Sequence, residues 1–280
     1  MNENMEEYEK TGYLNKHFKL FHLKDSDRRE FDFHYHDFDK IICFISGKAD
    51  YTIEGKKYAL EPYDFVLINR NEIHKPEVDF LVPYERMILY VEHEFLELYK
   101  NEAYDLTECF AKTMQEKANV VRFPAAVTGQ LYEILGKMEE GEKEGGYAQE
   151  LYGELLFLQF MVRLNRACLE NEYAYHHTVK YNKKVIDLMQ YINENLSEEL
   201  SIDLLSERFY MSKYHMMRQF KEETGYSIHQ YISEKRVLAA KNMIFGGMSA
   251  TVAAMECGYK DYSTFARAFK KTTGVMPSKV

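Results

Sequence analysis

The stretch Met216-Met217-Arg218-Gln219-Phe220-Lys221, followed by Thr224-Gly225, returns 49 residues later as Phe265-Ala266-Arg267-Ala268-Phe269-Lys270, followed by Thr273-Gly274. Upstream, Glu207 falls in register with Glu256. Such a repeat marks one supersecondary unit used twice. Each copy reads as helix, tight turn, helix. In the first, Ser201 is placed to cap a helix carrying Ile202, Leu204, Leu205 and Phe209, and Ser212 to cap a second helix that Gly225 stops. In the second, Ser249 caps a helix bearing Val252, Ala253 and Met255. Gly258 then marks the turn, Asp261 caps the next helix and Gly274 ends it. A side-chain oxygen at a cap satisfies a backbone N–H left open at the helix start, and glycine accepts the left-handed conformation at its end.

The second helix of each copy is two-sided. Met216 and Phe220, like Phe265 and Phe269, are four residues apart and share a face suited to burial. Tyr214, Met217, Arg218 and Lys221 fall on the other side, matched by Ser263, Ala266, Arg267 and Lys270. An ordinary amphipathic helix with solvated arginines would look the same in one copy, but packing does not require an exposed arginine in register in both. A helix of this kind can enter a major groove, where arginine donates two hydrogen bonds to a guanine edge. Residues 198–280 hold 12 Lys and Arg against 9 Asp and Glu, a net of +3, leaving −12 on the rest of a chain whose total is −9. A basic segment on an acidic chain points to nucleic acid, with base contacts or dimerisation adding to a modest phosphate attraction.

From about Val185 to its end the chain resembles the AraC/XylS family of bacterial transcription regulators. The resemblance rests on Leu200-Ser201-Ile202, Met211-Ser212, Arg218-Gln219-Phe220-Lys221, Thr224-Gly225, Tyr231-Ile232 and Arg236-Val237-Leu238-Ala239-Ala240-Lys241. It continues through Glu256-Cys257-Gly258-Tyr259, the Phe265–Lys270 run and Gly274-Val275-Met276-Pro277-Ser278. It implies two helix-turn-helix units joined by a rigid helix from about Ser227 to Phe245, entering successive major grooves, with RNA polymerase as a further partner. Ser227 with Gln230 fits a capping box that opens the joining helix. The sequence ends at Val280, just after the Pro-Ser signature, and the resemblance implies a short tail beyond it.

The front of the chain has another texture. Between Phe18 and Glu92, short apolar runs (Lys40–Ser46, Asp50–Ile53, Phe65–Ile68, Arg86–Val91) alternate with turn signals at Ser46-Gly47, Glu54-Gly55-Lys56, Glu61-Pro62-Tyr63-Asp64 and Asn69-Arg70-Asn71. Closely spaced short strands predict a small barrel or sandwich. Within it, His34 and His36 are two apart and share a strand face, and His74 follows at the end of a later strand. On His34, His36, Gly47, Gly55, Pro62, Asp64 and His74 the segment resembles the cupin-type sensor domain of many AraC-like regulators. It departs where metal-bearing cupins have a glutamate and this chain has Lys40, and where a glycine is expected and Tyr63 stands. An ammonium in place of an anionic ligand opposes a divalent cation. The expectation is therefore a metal-free effector pocket using His34, His36, His74, Tyr51 and Arg86, with no cofactor. Tyr58, Tyr84 and Tyr90 add hydroxyls that suit a sugar-like or other small polar ligand. Against this stands a plainer reading, in which the histidines are satisfied core groups and tyrosine, 23 in all, is simply abundant.

Between these regions, Val127, Leu131, Ile134, Leu135 and Met138 recur at helical spacing. Gly141 to Gly146 is a polar break, and Leu151, Leu155, Leu158, Val162 and Leu164 form a second run ending near Glu170. The fold class that results is α+β: a cupin-like β-barrel over residues 1–122 and a helical linker over 123–172 with a dimerisation role. An interdomain linker follows over 173–184, containing His176-His177 as a solvated pair, and an all-α DNA-binding domain over 185–280. With 46% hydrophobic residues the chain can bury two or more cores. Residues 2–10 are mostly polar and no apolar run reaches membrane-span length, which predicts a cytoplasmic protein. Cys43, Cys109, Cys168 and Cys257 are scattered without a C-x-x-C pair and read as buried thiols. The sequence thus points to a one-component, dimeric transcription regulator, of activator type, that binds promoter DNA under the control of a small molecule. Arg218, Arg267, Tyr214, Met217, Ser263 and Ala266 are expected at bases, and Lys213, Lys221, Lys260 and Lys270 at phosphates. The competing readings are a metal-dependent cupin enzyme with an appended helical domain and an architectural DNA protein without a sensor.

Overall fold

The computed structural model describes residues 14, 16–26, 31–170, 175–176 and 180–279, and the chain divides into two compact units near residue 180. The N-terminal unit begins with β1 (Phe18–Asp25), β2 (Asp39–Ser46), β3 (Ala49–Ile53), β4 (Lys56–Ala59), β5 (Phe65–Ile68), β6 (His74–Val78) and β7 (Tyr84–Val91). There follow α1 (His93–Glu97), α2 (Glu108–Glu116), β8 (Val120–Val121), α3 (Ala125–Glu144), α4 (Gln149–Glu170) and β9 (Tyr175–His176). One sheet runs β1-β7-β2-β5-β8-β9; in the other, β3 pairs with β4 on one side and β6 on the other. Of the expected barrel or sandwich, the two sheets make a sandwich. Alternation, which identifies a strand, does not say which strands pair, because that is settled by long-range contacts.

Alternation does explain the layering. Ile41, Cys43, Phe65, Leu67, Met87, Leu89 and Val91 turn to one side of the larger sheet and pack with Leu131, Leu135, Phe157, Phe160 and Leu164 of α3 and α4. Their neighbours Ile42, Val66, Ile68, Ile88 and Tyr90 turn to the other side and meet Tyr51, Ile53 and Tyr58. The three layers are helix pair, sheet and sheet, and the two helices of residues 123–172 pack on the larger sheet as part of this unit's core. All four cysteines are buried and free.

Two details of this unit depart from expectation. α3 runs past Gly141, and the chain reverses through Gly145, Gly146 and Ala148, all at positive φ. Along α4 the buried residues are Leu156, Phe157, Phe160, Met161, Leu164, Ala167 and Cys168, while Leu151, Leu155, Val162 and Leu169 are exposed. Tyr63, where glycine was expected, holds φ +70. The fold thus imposes the left-handed conformation on a residue that enters it at a cost.

The division between the units falls at β10 (Lys180–Tyr181), inside the expected 173–184 linker; Tyr173 and His177 lie outside the described residues. The C-terminal unit comprises α5 (Lys183–Glu194), α6 (Ile202–Arg208), α7 (Lys213–Thr224), α8 (Ile228–Phe245), α9 (Ala250–Glu256), α10 (Tyr262–Thr273) and a 3-10 turn at Pro277–Lys279. Each expected cap is present. Ser201, Ser212, Ser249 and Asp261 accept from the backbone N–H of Leu204, His215, Val252 and Thr264, and Ser227 forms a full capping box with Gln230. Gly225 and Gly274 end α7 and α10 at φ +76 and +78. The repeat extends to side-chain bonds: Thr224 donates to Phe220 O at 2.7 Å, and Thr273 to Phe269 O at 2.8 Å. No helix among the described residues is long and apolar enough to cross a membrane.

One tie joins the two copies. Arg236 of α8 donates to Gly258 O at 3.0 Å and to Glu198 O at 2.6 Å. A Cβ on Gly258, which holds φ +78, would lie 2.6 Å from Leu196 O and 2.8 Å from the Arg236 guanidinium. Any other residue there would displace the arginine.

Candidate functional site

α7 and α10 bury the side that the sequence assigns to the core: Met216, Phe220, Phe265 and Phe269 are all fully enclosed. The opposite side of α7 presents Lys213, Tyr214, Met217, Arg218 and Lys221 to solvent. On α10 the exposed counterparts are Ser263, Arg267 and Lys270, with Lys260 exposed just ahead of the helix. Ala266 is the exception, at 8% exposure. It is one residue from Phe265 and three from Phe269, and its small side chain is covered by the same packing, so it leaves the open face. The two arginines are held differently. Arg267 donates from Nε to Ser263 O and from its terminal nitrogen to Thr264 Oγ1, both at 3.4 Å, whereas Arg218 lies 3.8 Å from Glu222 on the next turn. Lys213 is ion-paired with Asp203. His215 and Tyr210 are also exposed beside this face and were not singled out by sequence; the register match of His215 to Thr264 was the available signal.

The second cluster lies between the sheets of the N-terminal unit. His34 is bridged to His74 by paired backbone hydrogen bonds of 3.1 and 2.8 Å. The rings of His34, His36 and His74 have centroids 4.4 to 5.3 Å apart. The expected pocket histidines are thus brought together. His34 Nδ1 lies 2.8 Å from Asp32 O and His74 Nδ1 lies 2.9 Å from Glu72 O. A carbonyl only accepts, so each Nδ1 carries the proton and each Nε2 carries the lone pair. Lys40, on the same inward side of β2 as Ile42, is buried with Nζ 3.5 Å from His74 Nε2 and 5.8 Å from the Tyr90 ring centre. Tyr51 and Arg86 are buried as expected; Arg86 ion-pairs with Asp25 at 2.6 Å and lies over the Tyr84 ring.

Burial dominates the electrostatics. It pushes the Lys40 amine down to about 7, helped by Arg86, and His36 down to about 2, helped by Lys40 and His34. His74 is likewise held well below its ordinary value, by burial first and Lys40 second. The three imidazoles have ligand atoms within 4.8 Å of one another, a spacing one metal ion could bridge. The buried Lys40 amine competes for the His74 lone pair and, when protonated, opposes a cation there. Lys40 is the residue that sequence reading undervalued. Its alternation with Ile42 and Phe44 along β2 was the signal that it turns inward.

Residues 20–157 match the family model for an AraC-like ligand binding domain, and residues 205–280 match that for a helix-turn-helix domain. The chain is 21% identical over 254 residues to the HTH-type transcriptional activator RhaS of Escherichia coli, covering 90% of this chain and 87% of that protein. Among solved structures, wild-type ToxT from Vibrio cholerae with a bound unsaturated fatty acid is similar at TM-score 0.38 and 16% identity, covering 94% of this chain and 93% of that one. The DNA-binding domain of AdpA in complex with a target DNA is similar at TM-score 0.33 and 25% identity, covering 34% and 87%.

Proposed function

The chain belongs to the AraC family of transcription regulators, in which an AraC-like ligand binding domain accompanies a helix-turn-helix domain, and from that premise we propose how its own residues do the work. α7 and α10 enter the major groove of promoter DNA, and Arg218 and Arg267 each make a paired contact to a guanine edge. The register-matched exposed arginine on both helices carries this reading. Tyr214, Met217 and Ser263 add polar and apolar contacts. Lys221, Lys260 and Lys270 neutralise phosphates, and Lys213 joins them by exchanging Asp203 for a phosphate.

A small effector binds between the two sheets, among His34, His36, His74, Tyr51 and Arg86. It favours one arrangement of the two units over another and so shifts the population that binds DNA. The exposed apolar stripe of α4 (Leu151 58%, Leu155 56%, Val162 38% and Leu169 46% exposed) supports pairing with a second copy. The residues are 4, 7 and 7 apart, so they fall along one side of the helix at the heptad repeat of a two-helix seam. The dimer acts in the cytoplasm, with RNA polymerase as its partner at the promoter. Selection of genomic fragments bound by the full chain tests the reading. The recovered motif is expected to contain two sub-sites, with Arg218→Ala relaxing one base position and Arg267→Ala another. Equal weakening on all sequences would assign both arginines to phosphate and remove the base-reading claim.

A further inference from the structure

We propose that the polar cluster between the two sheets takes a small hydroxylated ligand bearing a carboxylate or a phosphate, held by the Lys40 side chain and the His36 ring. The proposal rests on the sandwich being the effector site and narrows the chemical class of the effector.

Lys40 is 2% exposed, and its contacts are His74 Nε2 and the face of Tyr90. No carboxylate among the described residues is within ion-pairing reach of it. The neighbouring Asp39 accepts from His93 Nδ1 at 2.6 Å and from the Arg70 backbone at 2.8 Å, and Asp25 is spent on Arg86. Whenever this amine is protonated, the interior holds an ammonium without a counter-charge among the described residues, a costly arrangement unless something supplies one. Burial, with the Arg86 guanidinium nearby, lowers the amine, and an entering anion would oppose that.

His36 gives the second, independent observation. It is 8% exposed, and neither of its ring nitrogens has a hydrogen-bond partner among the described residues. Buried polar atoms are nearly always satisfied, so this ring is built to meet something that enters. A neutral imidazole offers one N–H and one lone pair. An anionic oxygen accepts from the N–H and from Lys40 together, and an adjacent hydroxyl donates to the lone pair. A neutral polyol would satisfy His36 and leave the ammonium bare. A simple anion would satisfy Lys40 and leave the lone pair bare. A hydroxy acid or a polyol phosphate satisfies both.

Calorimetric melting of the full chain with glycolate, glycerol 3-phosphate and glycerol tests this, since the three are small and differ in charge. Either anion, or both, is expected to raise the melting temperature of the N-terminal unit by about 5 °C once it exceeds its Kd a hundredfold, with glycerol ineffective. The two anions separate a carboxylate from a phosphate source. Lys40→Met is expected to melt cooperatively, at a higher temperature without ligand, and to lose the response; Lys40→Arg retains it, and His36→Gln weakens it. Stabilisation by glycerol that equals that by the anions and survives in Lys40→Met overturns the anionic class and leaves the sandwich as effector site. No shift with any probe overturns both. A full equivalent of divalent metal in the purified protein, lost in His36→Gln, also overturns it.

Discussion

In the N-terminal unit Asp39, Lys40, Asp64, His74 and Arg86 all lie out of water, each with 2% exposure or less; among the described residues of the C-terminal unit, the fully buried polar side chain is Thr224. The two units therefore hold themselves together by different means. The helical unit relies on caps and apolar packing, which cost little and keep two helices rigid. The sandwich buries charged groups, some paired, as Asp39 with His93 and Asp64 with Arg122, and one, Lys40, beside the histidine cluster. A buried group without a counter-charge is one that a bound molecule can stabilise, so the contrast is between a scaffold fixed by local bonds and one that leaves such a group inside.

The contrast can be broken at several points. The largest expected effects are core deletions: Phe220→Ala, which also removes an edge contact with Tyr231, is expected to cost about 3–5 kcal/mol and to do so equally at all pH values. In the sandwich, Arg122→Ala strips a bidentate partner at 2.7 and 2.9 Å from the fully buried Asp64 and is expected to cost about 3 kcal/mol. Chemical denaturation that follows each unit's transition separately checks both, and loss confined to the mutated unit is the anticipated result. Next comes pH. The folded value of Lys40, about 7, lies below the ordinary 10.5, so between those limits the unfolded chain holds the extra proton. Stability of the sandwich should then rise with pH through that window, by at most about 3 kcal/mol from pH 7 to 9. Lys40→Met should flatten the slope; a slope unchanged in the variant would assign it to other groups. Smaller again are the arginines, where Arg218→Ala and Arg267→Ala should each weaken cognate DNA binding by about 1–3 kcal/mol in titrations at fixed salt. The bonds of Arg267 to its own helix predict that its loss also costs helix order, which circular dichroism would register. Smallest are the caps: Ser212→Ala and Asp261→Ala should each cost about 1 kcal/mol, and a matching pair of values would confirm that the copies share their frame.

Legibility in the sequence divides along the same line. Caps, turns and the joining helix depend on side chains meeting their own backbone within a few residues, and Ser201, Ser212, Ser227, Ser249 and Asp261 all sit where local chemistry puts them. Ala266 escaped because its burial depends on tertiary packing. In the sandwich the strands were readable from alternation, and the side-by-side placing of His34 and His36 from their spacing. The partition into two sheets was not, since it rests on partners such as β3 with β6, which are far apart in sequence. α4 misled for a related reason: it is apolar on more than one side, and spacing alone does not tell the side that meets the sheet from the side left open. Gly141 was taken for a break although a helix tolerates one glycine at about 1 kcal/mol, and a Cβ placed there would meet the Tyr152 ring at 3.6 Å.

Arg236 clamps a carbonyl from each half of the C-terminal unit, at Glu198 and Gly258, and the missing side chain of Gly258 is what lets it do so. Held this way, the two halves have no slack to adjust their separation. A target lengthened by one base pair between its halves would turn one of them by about 35° around the duplex axis and out of reach. Binding sites for this protein should therefore tolerate letter changes far better than insertions or deletions.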